Sequence, residues 1–326
     1  MSCAPEDLAS WARLARGWPI ELGARWLAAE WARVTPRSAL SFGDRAAASW
    51  IVVDGHEARR GYQAYDLVLG GAVEDALRDA RRTAGTELAR LADLRARAAP
   101  LRQARTVTIT TTASYLPGIV WDVNLPDADA TRAVRGVVEP LMARARDHAA
   151  RVLAVANVPE SEPFAPARDA LASLGLVRAA SAPDSELAVP SGGLEAYLRA
   201  SSTAIRREHR AFARAVDRVV IEDAARLLAP DLVPLLTAQR GKYGHADGEA
   251  AYRDRLARVS SLGDRVKVLV AERAGRAVGF TAFILDPVRG RLVPRLFACE
   301  PNDVFVYFNL AYYEPIRVAA SWGLRA

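Results

Sequence analysis

Three runs in the second half of the chain leave few folds open to it. "VKVLVAE" (Val266–Glu272), "AVGFTAFIL" (Ala277–Leu285) and "RLVPRLFAC" (Arg291–Cys299) are short and rich in β-branched and aromatic residues. Only the turns at Ala274–Gly275 and Pro287–Gly290 separate them, and connections that short join antiparallel neighbours. The stretch that follows, "YFNLAYYEPIRVAASWGLRA" (Tyr307–Ala326), reads as an amphipathic helix. Phe308, Tyr312, Ile316 and Ala319 recur at spacings of four, four and three and predict one buried stripe, with Asn309 and Tyr313 on its flank. Pro315 removes the backbone donor to Ala311, so this helix either starts late or kinks. A kink would aim Asn309 and Tyr313 at the ends of the central strands.

The remaining elements extend the pattern. In the second half a helix is expected over Leu194–Val216, then a strand at "RVVIEDA", then helices near 230–240 and 247–259. In the first half Trp11, Trp18, Trp26 and Trp31 recur with helical periodicity, as helices packing on a core would place them. A hairpin follows around Gly43–Asp44, then a charged helix over Val73–Ala99 with a solvated face. Strands at Thr106–Thr112 and Gly118–Leu125 lead to a helix capped by Asp127 or Asp129 and running to about Ala150. A strand at Val152–Val158, a helix ending at Gly175 and a strand at Ser185–Pro190 complete this half. "PSGG" (Pro190–Gly193) marks a boundary between domains 1–190 and 191–326. Both halves run through antiparallel strands into a helix, a weak repeat in an α/β chain. The first half continues with strand, helix and strand, whereas the second half is expected to stop one strand early, through a trimmed end, a strand supplied by a partner, or a degenerate domain.

No run of apolar residues is long enough to cross a bilayer, and the N-terminus lacks the apolar stretch of a signal peptide. Cys3 and Cys299 make neither a disulfide framework nor a metal spacing. A cytoplasmic protein without membrane insertion is expected. The formal net charge is +6, yet only Lys242 and Lys267 of the 44 basic residues are lysines. That bias has two readings: arginine-favouring codons, or a polyanionic partner such as RNA.

The element order, met twice, resembles the GNAT acyltransferase fold, and two copies in one chain resemble its Fem-type, or FemAB-like, branch. The resemblance rests on "LRASSTAIRREHRAF", similar to the family's serine-then-basic helix, and on "RGKYGHAD", similar to its lysine–tyrosine–glycine loop. It rests also on "RLVPRLFACEPNDVFVYFNLAYYEPIRVAASWGL", similar to the strand, aromatic helix and closing glycine–leucine. About 130 residues fall under it, and the first half matches in element order alone. The resemblance implies tandem GNAT-like domains with mixed, mostly antiparallel sheets flanked by helices. It further implies an amide-forming transferase that moves an aminoacyl group from aminoacyl-tRNA to the amine of a small-molecule or peptide acceptor, in peptidoglycan or secondary-metabolite biosynthesis.

The residues bear on the donor. A loop that cradles the pyrophosphate of acyl-CoA needs close backbone approach and is usually glycine-rich. "ACEPNDVFVYFNLA" at the corresponding place has no glycine and carries Glu300 and Asp303, while "YLPG" (Tyr115–Gly118) offers a single glycine. Acetyl-CoA or another acyl-CoA is therefore the alternative donor. Arg206, Arg210 and Arg214 recur every four residues with Arg207 beside them, a stripe that suits tRNA phosphates or a solvated face equally. Glu208 lies within its span, and Ile205, Phe212 and Val216 give the other face to the core.

Amide formation by direct attack on an activated ester or thioester needs a neutral amine, a stabilised oxyanion and a proton for the leaving oxygen or sulfur. A mechanism with no metal, cofactor or covalent intermediate is expected. His245 is the candidate base. Tyr312 or Tyr313 is the candidate proton donor, while Lys242, Tyr243, Arg295 and Asn309 are candidate substrate contacts. Arg295 alternates with Val293 and Phe297 and is expected on their sheet face. Cys299 reads as a small buried hydrophobe rather than a nucleophile. Against all of this stands a non-catalytic GNAT pair that binds a polyanion or a protein. The acceptor and the oligomeric state are open.

Overall fold

The computed structural model describes residues 5–19, 22–31, 38–54, 65, 69, 84–111, 116–179, 187–242, 248–287, 289–301 and 303–325. The chain forms two compact units, Met1–Asp184 and Ser185–Ala326. Both are mixed α/β, each with a sheet flanked by helices. Among the described residues, no helix is long and apolar enough to cross a membrane.

In the first unit α1 (Pro5–Leu14) and α2 (Ala24–Trp31) precede β1 (Ser38–Phe42) and β2 (Ala46–Val53). The hairpin closes at Gly43, whose N–H donates to Ala46 O at 2.8 Å. Then come α3 (Ala84–Ala98), β3 (Thr106–Ile109), β4 (Ile119–Trp121), α4 (Asp127–Asp147), β5 (Val152–Val155) and α5 (Ala165–Ser173). Every residue of β2 is buried, and the strand is central: one edge faces β1 and the other is shared end to end by β4 and β3. β3 in turn pairs in parallel with β5. Gly118 lies where β4 meets β3. A Cβ there would sit 2.4 Å from Thr110 C and 2.6 Å from Ser49 O, so only glycine lets these strands approach.

Three of the four N-terminal tryptophans take core positions, as their periodicity suggests, while the side chain of Trp31 lies outside what is described. Trp11, Trp18 and Trp26 are buried. The Trp11 indole donates to Leu22 O at 2.6 Å and the Trp18 indole to Trp121 O at 2.7 Å, which ties the N-terminal segment to β4. The cap expected at Asp127 or Asp129 belongs instead to Pro126, and both carboxylates lie in the first turn of α4, where they oppose the positive end of its dipole. Of the expected Ser185–Pro190 strand, the described residues 187–190 are not a strand, while Ser185 and Glu186 lie outside the described residues. The expected Val73–Ala99 helix is described from Ala84 to Ala98.

The second unit holds α6 (Gly193–Ala200), α7 (Thr203–Ala215), β6 (Arg218–Asp223), α8 (Leu232–Lys242) and α9 (Glu249–Ser260). A meander of β7 (Val266–Arg273), β8 (Arg276–Asp286) and β9 (Arg291–Cys299) follows, with sheet order β6-β7-β8-β9 and every pair antiparallel. The single helix expected over 194–216 is two. Ser202 caps α7, its Oγ accepting from Ile205 N at 3.4 Å, and the chain breaks at Ser201–Ser202. Beyond β9 the aromatic stretch forms α10 (Val304–Phe308), one π-helical turn over Asn309–Tyr313, and α11 (Glu314–Ser321). Past α11, Arg325 N donates to Gly290 O at 2.7 Å and Arg325 O accepts from Val189 N at 2.8 Å.

Candidate active site

Proline chemistry builds this site. An α-helix through Pro315 would leave Ala311 O without its donor. The chain widens to a π turn instead of starting late or kinking, and Glu314 N donates to Asn309 O, five residues back. This shift has a cost at Leu310. Its α-helical partner, Glu314 N, is now used by Asn309, and the i+5 position is Pro315, which has no N–H. The hydroxyl of Thr281 on β8 supplies the donor, reaching Leu310 O at 2.9 Å inside the core. Gly279, two residues earlier on β8, lets the helix sit this close: a Cβ there would lie 2.6 Å from Val306 Cγ1 and 3.0 Å from Leu310 Cδ1.

The extra residue in the turn also decides which tyrosine goes inside. The buried stripe expected through Phe308 and Tyr312 is broken at Tyr312, which is 43% exposed, while Tyr313 is 4% exposed. Tyr312 stacks on Phe308 at 6.1 Å and faces solvent. Tyr313 packs with Leu194 of α6 and Ile316 of α11, with the rings of Tyr197 and His209 at 6.0 and 6.1 Å. Its hydroxyl donates to Glu208 Oε1 at 3.5 Å. Burial first, then the Glu208 charge, pushes the phenol up to about 12. Burial likewise raises the Glu208 carboxyl, against the Tyr313 hydrogen bond, which lowers it. His209 is lowered by burial, with buried Glu314 acting in the opposite direction. Glu314 in turn is held by Arg317 at 2.7 Å.

Asn309 is fully buried on the same turn. Its Nδ2 donates to Phe305 O at 2.7 Å, and its Oδ1 has no partner among the described residues. A weakly basic carboxylate beside a high-pKa phenol is an acid–base pair able to pass one proton. Sequence reasoning passed over Glu208, His209 and Tyr197. The signal was present in α7, where Glu208 and His209 fall between Ile205 and Phe212 on the helix face that turns inward.

The other candidates are placed differently. Arg206 is turned to structure: its guanidinium donates to Leu198, Arg199 and Ser201 carbonyls at 3.4, 3.3 and 2.6 Å and to Thr203 Oγ1 at 3.1 Å, closing the C-terminus of α6. Arg207, Arg210 and Arg214 are exposed on α7, and Arg210 Nε donates back to Arg206 O at 3.3 Å. Lys242, expected on a loop, is an exposed residue of the last turn of α8. Tyr243 and His245 lie outside the described residues. Arg295 is half-buried and is the extra residue of a β-bulge, since Ala282 pairs with Leu296 and Phe283 with Pro294. The bulge interrupts the period-two alternation that predicted a shared face with Val293 and Phe297.

Between β9 and α10 the two acids are engaged. Asp303 caps α10, accepting from Val306 N at 3.1 Å, and Arg273 bridges Glu300 and Asp303 at 3.4 and 2.8 Å. Arg276 reaches Glu300 at 2.7 Å. Cys299 is buried, with its thiol pushed up to about 11 by burial and then by the Asp303 charge, as an inert core residue would be.

No protein-family model and no curated protein matches the chain. Neither comparison therefore returns the Fem-type branch or any other acyltransferase family. Among solved structures the chain is similar to the "C-terminal Domain (DUF2156) of Putative Lysylphosphatidylglycerol Synthetase" from Agrobacterium fabrum. The identity is 10% and the TM-score 0.50, over 98% of this chain and 76% of that one. At this identity the two chains share a fold, and the chemistry must be argued from the residues.

Proposed function

We propose that the chain is an aminoacyl transferase that takes its group from aminoacyl-tRNA, with Glu208 and Tyr313 as its proton-transfer pair. The observation that carries this reading is the Tyr313–Glu208 contact at 3.5 Å, formed by two groups that are both raised above their ordinary pKa. The acceptor nucleophile attacks the ester carbonyl and gives its proton to Glu208. The ribose oxygen departs with the proton of Tyr313, and Glu208 returns the proton it holds to the phenolate. A phenol held at about 12 stays protonated at neutral pH until a strongly basic alkoxide forms beside it.

Exposed Arg207, Arg210 and Arg214 on the helix that carries Glu208 support a polyanionic donor. The self-capped N-terminus of α10, with two carboxylates already paired to arginine, speaks against a CoA pyrophosphate there. The fold neighbour's name describes a synthetase that joins a lysyl group to phosphatidylglycerol, which adds a lipid hydroxyl to the amine expected from the Fem-type resemblance. Labelled tRNA binding at about 0.15 M salt, with excess acetyl-CoA as competitor, is the first test. Transfer from charged tRNA is then measured to an amine panel and to phosphatidylglycerol micelles, with Glu208→Gln and Tyr313→Phe as controls. Binding indifferent to acetyl-CoA and transfer abolished in both variants is the expected result. Acetyl-CoA bound in place of tRNA overturns the proposal.

A further inference from the structure

We propose that the first unit carries a separate site for a small organic phosphodiester, in the cavity between the end of α1 and the loop after β4. The cavity holds about 420 Å³ and is lined by Arg13, Leu14 and Arg16, by Asp44 and Arg45 of the β1–β2 hairpin, and by Asp122–Asn124. Its volume lies in the range of small-molecule sites. Its walls are fixed from within. The Trp18 indole donates to Trp121 O at 2.7 Å, with the two rings edge to face at 4.2 Å, so the segment after α1 is tied to the β4 end. Asp122 N donates to Arg45 O at 3.1 Å, tying that end to the hairpin.

The charges divide into those that build the walls and those left over. Asp122 accepts from Arg45 Nη2 at 2.7 Å and from Asn124 N and Nδ2 at 3.0 Å each. The Arg45 hydrogen bond is the largest cause of its lowered pKa, so its charge is committed to holding the loop. Arg13 and Arg16 make no ion pair among the described residues. Three guanidiniums against Asp44 and Asp122 leave the lining with one excess positive charge. That balance suits a monoanion, where a phosphate monoester would bring a second uncompensated charge. The two uncommitted guanidiniums, Arg13 and Arg16, both line the cavity, and guanidinium forks match the paired oxygens of a phosphate. Leu14 and Val123 give the ligand's body an apolar wall. The inference does not rest on the transferase reading, which concerns the second unit.

Titration of the full chain with dibutyl phosphate by calorimetry tests it, with neutral triethyl phosphate, inorganic phosphate and hexanoate as comparison probes. Saturable binding of dibutyl phosphate with Kd on the order of millimolar is expected, weakening as salt is raised. Triethyl phosphate should not bind, and inorganic phosphate and hexanoate should bind more weakly. Arg13→Gln and Arg16→Gln alter exposed side chains, so folding is retained, and at least one should weaken binding about tenfold. Arg132→Gln, on exposed α4 surface, should leave the affinity unchanged. No saturation by dibutyl phosphate, equal binding of hexanoate, or affinity indifferent to both arginine changes would overturn the assignment.

Discussion

Thr281→Val is the sharpest probe of how the π turn is held. The substitution keeps the side-chain volume and the β-branched shape, so neither a cavity nor a loss of strand propensity enters. It removes one hydrogen bond, Thr281 Oγ1 to Leu310 O at 2.9 Å, in a place closed to water, with Thr281 1% exposed and Leu310 fully buried. A hydrogen bond contributes about 1 kcal/mol net, but a buried carbonyl left without a donor costs about 1–3 kcal/mol, so a loss of about 2 kcal/mol is expected. Urea unfolding reads it as a lower midpoint at unchanged slope. The distinguishing arm is the Pro315→Ala background. Alanine at 315 restores a backbone N–H, and in either register, π or α, Leu310 O regains a main-chain donor. Thr281→Val should then cost at least about 1 kcal/mol less than in the native background, a coupling measurable by double-mutant cycle. Equal costs in both backgrounds, or no cost in the native one, would refute the account of Thr281 as a substitute for the proline's missing donor.

The other expectations are shorter. Glu208→Gln should abolish transfer yet leave the urea midpoint at pH 7 unchanged or higher. Burial raises this carboxyl, so its stabilising contribution is full below the unfolded-state value and is lost as pH rises through the folded one; a lower midpoint at pH 7 would sink the reading. Arg206→Gln should destabilise the second unit by about 1–3 kcal/mol, because it frees the carbonyls at the end of α6. Changing Arg207, Arg210 and Arg214 together should spare stability and flatten the salt dependence of tRNA binding by about two to three logarithmic units per decade. Gly118→Ala places a Cβ 2.4 Å from backbone and should cost about 3 kcal/mol or more; a calorimetric scan showing an unchanged first-unit transition would contradict the packing.

What could be read from the sequence divides along a physical line. The β7–β8–β9 meander was legible within a residue or two because tight turns and apolar runs act locally, and Trp11, Trp18 and Trp26 revealed their core positions by periodicity alone. The helix break at Ser201–Ser202 was equally local, since a serine pair ahead of Thr203 is a cap signal that apolar periodicity across the break obscured. The π turn is different. Pro315 announces that a carbonyl must lose its donor, but whether the helix starts late, kinks or widens is decided by Gly279 and Thr281 on a strand some thirty residues away. That choice in turn selects Tyr313 over its neighbour Tyr312, a distinction of one residue that no spacing rule resolves. Glu208 then becomes significant only because Tyr313 lies against it; alone in an arginine-rich helix it passes for one more solvated charge. The Tyr313–Glu208 contact proposed for proton transfer is thus assembled by a backbone defect, held by the Thr281 hydroxyl on Leu310 O. A helix restored to α register would turn Tyr313 by roughly a quarter turn and part it from Glu208. Pro315→Ala should therefore suppress transfer even where it leaves the unit as stable as before, which separates the geometry of the site from the stability of the fold.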